Sequence, residues 1–277
     1  LGPAIGWRNC FYLLGGIGVL FAIAMWFMPE TPRKHLQTEQ ADATPDAERQ
    51  SFKEIARILI AALRASPALV LTIGGGVAFH FILGAATFDQ LWYVEERGFD
   101  RAEIAQITGW IGIVAGILGN LFGGLGGDWF LRKTGIGRPM FLFWVLLLLA
   151  PINVAYRLVP PDTIWFWLGV FVGFFQLGCF YGPTFSTVQE LVPPQIRATV
   201  VALYILLLNM AGVAIGVSAA GVYIDWLMAR GNEAPYTLAL LWFTVISLSA
   251  IPLFYFAGRR FERDRARLFE KMQAESV

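Results

Sequence analysis

The stretch from 198 to 223, ATVVALYILLLNMAGVAIGVSAAGVY, decides the fold class of this chain. It contains no Asp, Glu, Lys or Arg, and it is longer than the roughly 20 apolar residues that a helix needs to cross a bilayer. It also lacks the alternation of polar and apolar side chains that a barrel strand would show. Because backbone groups in lipid must find their hydrogen bonds within the segment, the stretch predicts a transmembrane helix.

Six further stretches have the same character, so the sequence predicts an all-α integral membrane protein with seven transmembrane helices. The composition agrees, since 57% of the 277 residues are hydrophobic and only 15% are charged, whereas about a quarter are charged in soluble domains. The predicted spans are 9–28, 68–92, 104–125, 140–158, 164–188, 198–223 and 236–257.

The Lys and Arg residues predict the orientation of these spans. With the N-terminus of the chain outside, 16 of the 21 Lys and Arg residues fall in segments on the inner side. Positive residues are enriched in cytoplasmic loops of membrane proteins. We therefore expect a multi-pass protein of the plasma membrane (the inner membrane in a bacterium), with the C-terminus in the cytoplasm.

The segment from 29 to 66 is the only long polar connection in the sequence, and it divides the chain into unequal parts. Within it, residues 51–65 place Phe52, Ile55, Leu59 and Leu63 at helical spacing. This pattern predicts a short amphipathic helix, either on the inner membrane surface or in a solvated linker. One span (residues 1–28) precedes the cytoplasmic linker, six spans (67–257) follow it, and a basic cytoplasmic tail (258–277) ends the chain.

Several motifs resemble those of the major facilitator superfamily, a family of secondary transporters. The first is Gly6-Trp7-Arg8, an apolar helix and then PETPR at 29–33; the second is GGLGGD at 123–128, followed by Arg132 and Arg138. The stretch VPPQIRAT at 192–199 is similar to bacterial spinster-like members. The Gly-Arg pair stands further from the Asp than in the usual family motif.

The resemblance implies an organisation and a mechanism. The chain would hold the equivalents of helices six to twelve, the last six forming one half-transporter of three plus three helices in an inverted repeat. It begins at Leu1 without a Met, as expected of a fragment whose other six-helix half is missing. We expect a small organic or amphipathic solute to cross by alternating access, and coupling to protons is left open. We also expect that this chain alone transports no solute.

The same resemblance suggests gate residues near the inner side. The candidates are Gly124, Asp128, Arg132, Arg138 and Arg197. Asp128 is expected to pair with Arg132 or with the N-terminal end of another helix. Arg197 needs an acidic partner or a lipid phosphate, and Glu190 is the nearest acidic candidate. Gly182 and Pro183 interrupt the fifth span and predict a hinge there, because proline removes a helix hydrogen bond.

Polar side chains deep in a span are the best indicators of a solute site, although each of them is equally compatible with an interhelical hydrogen bond. The solute-cavity candidates are His80, Asn120, Gln176, Tyr181 and Asn209. They lie on the second, third, fifth and sixth spans. The fourth and seventh spans read as nearly apolar at mid-depth, and the resemblance implies that they are outer, supporting helices.

Other classes of protein have less support. Two Cys and two His residues offer no metal-site pattern, no nucleophile, phosphate-loop or cofactor motif is present, and the basic tail suits anionic lipid better than nucleic acid. The sequence therefore predicts no enzyme, no metal and no cofactor. The alternative that stays open is a stand-alone seven-helix receptor or structural membrane protein. A retinal-binding receptor is disfavoured, because retinal needs a lysine within a span and no predicted span carries one.

Overall fold

The computed structural model describes residues 6–28 and 52–275, and they form two separate units. The first unit contains one described helix, α1 (Trp7–Trp26), which has no charged side chain after Arg8. The second unit begins at Phe52 and contains all the other helices. Of the predicted linker from 29 to 66, the part from 29 to 51 lies outside the described residues.

The second unit is a bundle of membrane-length helices preceded by one short helix. Its helices are α2 (Phe52–Ala65), α3 (Pro67–Ala85), α4 (Asp89–Glu95), α5 (Arg101–Thr134), α6 (Arg138–Ala155), α7 (Ile164–Glu190), α8 (Arg197–Leu207), α9 (Ile215–Ala229), α10 (Pro235–Ser247) and α11 (Ala250–Glu275). No strand occurs among the residues that the structure describes.

Seven helical segments of the described chain are long and apolar enough to span a membrane, which confirms the predicted number and the all-α fold class. Three of the spans are composite: α3 joins α4, α8 joins α9, and α10 joins α11. The first of these joints is a 3₁₀ turn at Ala86–Phe88, and the second is a π-helical turn at Leu208–Ala214. The predicted boundaries missed these joints because none of them carries a charged residue that would interrupt the span.

Two predicted ends are too short. The third span was predicted to end at 125, but α5 continues to Thr134, where Gly135 in the left-handed region (φ 67°) ends it. The predicted tail from 258 is instead the continuation of α11, which reaches Glu275. In both helices, polar residues follow the apolar stretch, so a prediction from hydropathy alone places the end of the helix too early.

Glycines let α5 and α7 pack closely, as the glycine spacing on the third span predicts. A Cβ added at Gly123 would lie 2.5 Å from the Cα of Cys179, and one added at Gly119 would lie 3.0 Å from the carbonyl carbon of Phe175. Both distances are too short for any side chain. The two backbones are therefore in contact along this crossing.

Helix α3 is the central helix of the second unit. It packs on α11, on the π-helical turn and on α9 and α10, and it supplies buried residues such as Leu69, Thr72 and Phe79. Asp264 of α11 accepts a hydrogen bond of 2.8 Å from the backbone N–H of Ala68. The residues predicted as a basic tail therefore cap the start of α3, which satisfies one of its free N–H groups.

The short helix α2 is present where residues 51–65 predict one. Its apolar face, which includes Ile58, Leu59, Ala62 and Leu63, packs against the core of the second unit. This packing explains the amphipathic spacing through contact with protein; the membrane-surface position stays a prediction.

Candidate functional site

Helix α6 carries an arginine at each end, and each arginine forms an ion pair. Arg138 is the first residue of α6, and Arg157 lies two residues beyond its last residue, Ala155. The 18 residues of the helix extend about 27 Å at 1.5 Å per residue, close to the thickness of a hydrocarbon core. We call the two ends of the bundle the Arg138 end and the Arg157 end.

At the Arg138 end, four charged residues from four helices meet. Arg138 Nε donates to Asp128 Oδ1 on α5 at 2.7 Å, and Arg138 Nη1 donates to Glu190 Oε1 on α7 at 2.7 Å. Arg265 on α11 approaches the other oxygen of Glu190 at 3.8 Å. We call Asp128, Arg138, Glu190 and Arg265 the Arg138 cluster, and it ties together four helices.

The backbone next to Arg138 is fixed by close packing. A Cβ added at Gly137 would clash with the side chain of Phe261 on α11, 2.5 Å from its Cγ. Phe261 is fully buried. Glycine at 137 therefore lets α11 approach, and this approach also brings Arg265 within reach of Glu190.

The sequence left alternatives open for Asp128 and Arg197, and in each case the side-chain pairing that it suggested is not the one formed. Asp128 pairs with Arg138 rather than with Arg132, which is exposed on the same helix. Glu190 pairs with Arg138 and Arg265 rather than with Arg197, which is also exposed. Arg132 follows Asp128 by four residues, so sequence spacing suggested that pair, whereas the turn before α6 returns Arg138 to the carboxylate.

At the Arg157 end, the ion pair is buried. Arg157 Nη1 donates to Asp89 Oδ1 at 3.0 Å, and the side chains are 3% and 22% exposed. The Arg157 guanidinium lies 4.9 Å from the ring centre of Trp92 and 4.8 Å from that of Tyr156. Cation–π contacts of this kind hold the plane of the guanidinium.

The neighbouring charges at this end bind the start of α10. Glu96 accepts hydrogen bonds from the backbone N–H groups of Tyr236 and Thr237, and from the Thr237 hydroxyl. Arg97 donates to the carbonyl oxygen of Arg157. A carboxylate at the N-terminus of a helix is stabilised by the helix dipole, so this network joins α4, α6 and α10.

Polar side chains also occur between the two ends, on helices that the sequence analysis described as nearly apolar. Asn153 on α6 donates to Gln176 Oε1 on α7 at 2.8 Å, and α10 contributes the buried Thr244 and Ser247. The expectation of a nearly apolar middle is therefore wrong for the seventh span, whereas Asn153 lies two residues before the end of α6 and leaves the middle of the fourth span apolar. Isolated Asn, Thr and Ser residues barely lower the hydropathy of a span, which is why they were overlooked.

These residues face a cavity of about 110 Å³ inside the bundle. Its wall includes Gln176 from the predicted set and both members of the Asp89–Arg157 pair. Apolar residues such as Phe79, Leu146 and Val170 form much of the remainder. The cavity therefore combines an apolar wall with a charged but internally neutralised end.

Two other predicted residues, His80 and Tyr181, lie together outside that cavity wall. His80 is 2% exposed, and its Nδ1 is 2.8 Å from the carbonyl oxygen of Gly76, so this nitrogen carries the proton that is donated. The Tyr181 hydroxyl is 3.5 Å from His80 Nε2, at the outer limit of a hydrogen bond. The hydroxyl faces the one ring nitrogen that is left as an acceptor.

Asn120 and Asn209, the remaining predicted residues, are exposed near the middle of their spans. Asn120 Nδ2 donates to the carbonyl oxygen of Gly116, and Asn209 Nδ2 donates to that of Ile205. Each amide thus bonds its own helix through its amino group. The five predicted residues therefore form no single cluster in the described part of the chain.

The predicted hinge residues lie at the crossing of α5 and α7. Gly182 is exposed, Pro183 is buried, and α7 continues as a helix past both. A Cβ added at Gly182 would lie 3.3 Å from the Cα of Gly124, and one added at Gly127 would lie 3.1 Å from Pro183 Cγ. The GGLGGD motif therefore packs on the predicted hinge.

Sequence reasoning missed Asp89, Arg157 and Asn153 as parts of one site. Asp89 and Arg157 are separated by 68 residues in the chain, so no local spacing connects them. The available signal was an arginine inside the predicted span 140–158, close to its end and beside Tyr156. Among the described residues, no group of His, Cys, Asp and Glu is arranged to hold a metal ion.

Comparison with known proteins defines the class. The family model described as the Major Facilitator Superfamily matches residues 1–217, and the chain belongs to this family. It is 24% identical over 271 residues to an MFS-type efflux pump of Mycolicibacterium smegmatis (strain ATCC 700084 / mc(2)155), a match that covers 95% of this chain and 59% of that protein.

Solved structures show the same fold. A bacterial homologue of the human lysosomal transporter Spinster, inward-facing and unoccupied, aligns with a TM-score of 0.65 and 18% identity over 94% of this chain and 60% of that one. The inward-facing, occupied form of that homologue aligns with a TM-score of 0.63 and 19% identity. This alignment covers 94% of this chain and 59% of that one. At the level of fold, the resemblance to spinster-like members is confirmed. The chain spans about three fifths of the length of these relatives.

Proposed function

We propose that this chain is the C-terminal portion of a secondary transporter that moves a small organic or amphipathic solute by alternating access. Its partner would be an N-terminal six-helix half, and the solute would cross between the two halves, as symport or antiport. Membership of the superfamily supports a transporter over the stand-alone receptor or structural protein that the sequence left open. The mycobacterial relative is an efflux pump, and export by this protein would agree with that.

The observation that carries the proposal is the exposure of Asn120 and Asn209 near mid-span. An amide that faces lipid at this depth is unfavourable, so polar residues inside a membrane usually face a protein interior or water. Large apolar residues beside them, such as Trp110, Leu121 and Met210, are exposed as well. A second half-transporter that covers this face, with a hydrated path along the amides, accounts for both.

We propose that the Arg138 end faces the cytoplasm of a cell whose plasma membrane holds the protein. The basic residues of α11, including Arg259, Arg260 and Arg263, lie toward this end, and cytoplasmic segments are enriched in such residues. The N-terminus of the chain would then lie outside, and anionic lipid would attract the exposed Arg197.

In this orientation, the Arg138 cluster is an inner gate latch. Asp128 is 51% exposed although it is bonded to Arg138, so water can replace that bond at low cost. We propose that Gly124, Asp128 and Arg132 meet the other half in one gate state. The α5–α7 crossing at Gly182 and Pro183 would be the place where the gate bends.

We propose that His80 is the residue through which transport would be coupled to protons. Imidazole is the side chain whose charge changes near neutral pH, and Tyr181 lies beside its acceptor nitrogen. His80→Ala is expected to abolish the pH dependence of transport while protein abundance stays normal. If the gradient of protons is collapsed and uptake into vesicles is unchanged, coupling is excluded.

The test of the transport function uses the full-length protein in proteoliposomes, with release of amphipathic organic dyes as the readout. Asn120→Leu and Asn209→Leu are expected to lower the rate about tenfold or more, because a hydrated path loses its polar lining. Ile117→Leu, at an exposed position on the same helix as Asn120, is the control. Wild-type rates in both Asn variants would contradict the proposed path, and flux from the 277-residue chain alone would contradict the need for a second half.

A further inference from the structure

One face of α11 changes along its length from apolar to basic. Its residues Phe256, Arg260, Arg263 and Arg267 follow one another at steps of four, three and four, so they lie on one side of the helix. All four are exposed, whereas Phe261 on the other side is fully buried in the bundle. At 1.5 Å per residue, the exposed face passes from an aromatic ring to the first of three arginines within about 6 Å.

A row of four aromatic rings begins on this face and continues onto α6. Ring centres are 5.3 Å apart between Phe256 and Tyr255, and 5.2 Å apart between Tyr255 and Phe143. The Phe143 ring is in turn 4.9 Å from that of Trp144. Phe256 and Trp144, at the two ends of the row, are 52% and 47% exposed. We call these four residues the aromatic row, and it forms an apolar surface across two helices.

Close backbone packing holds α6 and α11 together beside this row. A Cβ added at Gly258 of α11 would lie 2.6 Å from the backbone nitrogen of Met140, the third residue of α6. The start of α6 is therefore level with the first arginines of α11. Trp144 lies six residues after Arg138, about 9 Å further along α6. The aromatic row is thus nearer the middle of the membrane than the arginines, as acyl chains are relative to headgroups.

The acidic residues of this part of α11 do not neutralise the basic face. The Asp264 side chain is 0% exposed and caps the start of α3. Its distance to Arg263 Nε, 3.8 Å, is too long for a hydrogen bond. Glu262 approaches Arg265 at 3.6 Å instead. Within the described part of the chain, Arg260 has no acidic partner, so the face keeps its positive charge.

The chemistry of this surface matches that of an anionic phospholipid. The aromatic row lies on α6 and α11, whereas the proposed contact with a second half lies around Asn120 and Asn209, on other helices. An arginine binds phosphate oxygens through two parallel N–H groups, and anionic headgroups attract basic residues close to the membrane surface. The Arg259 guanidinium, 5.9 Å from the ring centre of Tyr255, connects the basic and aromatic parts.

We infer that α6 and α11 form a binding site for one anionic phospholipid, the phosphate of which lies between Arg260 and Arg263 and an acyl chain of which lies on the aromatic row. The inference requires a chain that spans a membrane, and membership of the superfamily supplies this. It is independent of the proposed solute, of coupling and of alternating access.

The experiment measures quenching of tryptophan fluorescence by brominated lipid around full-length protein in nanodiscs. Each nanodisc contains phosphatidylcholine with about a tenth of phosphatidylglycerol. An equal amount of bromine is placed on the upper acyl chains of one lipid or of the other. The emission of Trp144 is obtained by subtracting that of Trp144→Phe. We expect phosphatidylglycerol to quench this emission about fivefold more strongly, the preference that one arginine near an anionic surface supplies.

Two variants with the same change of charge locate the site. Arg260→Gln is expected to lower the preference for phosphatidylglycerol about fivefold. The matched control is Arg230→Gln, because Arg230 is also exposed and lies over an aromatic ring, but follows the end of α9, away from α6 and α11. Elution in size-exclusion chromatography as for wild type shows that each variant is folded.

The possible results lead to different conclusions. A preference for phosphatidylglycerol that is present in wild type and in Arg230→Gln, but lost in Arg260→Gln, supports the site. Equal quenching of Trp144 by the two lipids would overturn the inference. So would an unchanged preference in Arg260→Gln, or an equal loss in both variants, which would indicate attraction by the overall charge. None of these results bears on whether the protein transports a solute.

Discussion

The two ends of α6 carry ion pairs of the same chemical kind in different surroundings. At the Arg157 end, the arginine is 3% exposed and its partner Asp89 is 22% exposed. At the Arg138 end, the arginine is 13% exposed, while Asp128 is 51% exposed and Glu190 is 30% exposed. A buried pair is costly to separate, whereas an exposed pair exchanges readily with water. We expect the Arg157 end to be fixed and the Arg138 end to be releasable.

The largest expected effect comes from removal of the fixed arginine. Arg157→Ala leaves Asp89 in the bundle without a counter-charge, which costs about 3–5 kcal/mol of unfolding free energy. The measurement is thermal unfolding of detergent-purified protein, followed by size-exclusion chromatography. Arg230→Ala is the control, because Arg230 also stacks on a tryptophan, at 3.9 Å, but is exposed.

A double variant tests whether the charge imbalance is the cause. Asp89→Leu combined with Arg157→Met removes both charges and is expected to recover most of the lost stability. If the double variant were as unstable as Arg157→Ala, the packing of Arg157 on Trp92 and Tyr156 would matter more than the ion pair.

A second effect of intermediate size separates packing from charge at the same end. A Cβ at Gly169 would clash with the side chain of Tyr156, whereas a Cβ at Gly173, one turn later on α7, has open space. Gly169→Val is therefore expected to lose about 1–3 kcal/mol of unfolding free energy through overpacking. Gly173→Val, measured in parallel by thermal unfolding, should stay close to wild type, and equal losses would contradict this assignment.

The sequence predicted the helices well because each apolar span is a local property of the chain. The glycine spacing on α5 is likewise a local property of one helix face, and it indicates close packing without identifying α7 as the partner. The pairs Asp89–Arg157 and Arg138–Glu190 were not predicted, because the packing of distant helices brings their members together. Asn120 and Asn209 were placed in the cavity set by depth alone, and depth does not determine which way a side chain points.

A third prediction concerns the releasable end. Arg138→Gln leaves Asp128 without its cation and leaves Glu190 with Arg265 alone, at 3.8 Å, although solvent reduces the repulsion between the two carboxylates. We expect a loss of about 1 kcal/mol of unfolding free energy, well below that of Arg157→Ala. Transport by full-length protein should change several-fold, since the cluster is the proposed latch. A stability loss as large as that of Arg157→Ala would remove the distinction between the two ends.

The smallest expected effect on stability is that of Asp128→Asn, and this variant tests most directly whether the ion pairs at the two ends of α6 differ. Asp128 is half exposed, so loss of its charge should cost no more than about 0.5 kcal/mol in thermal unfolding.

Salt screens exposed pairs more than buried ones. Raising KCl from about 0.1 M to about 1 M should therefore shift the wild-type transport rate toward that of Asp128→Asn. It should leave the rate of Asp128→Asn itself nearly constant. If the transport rate of Asp128→Asn depended on the KCl concentration as steeply as that of wild type, the screened interaction would lie elsewhere. The Arg138 cluster would then only hold the helices together.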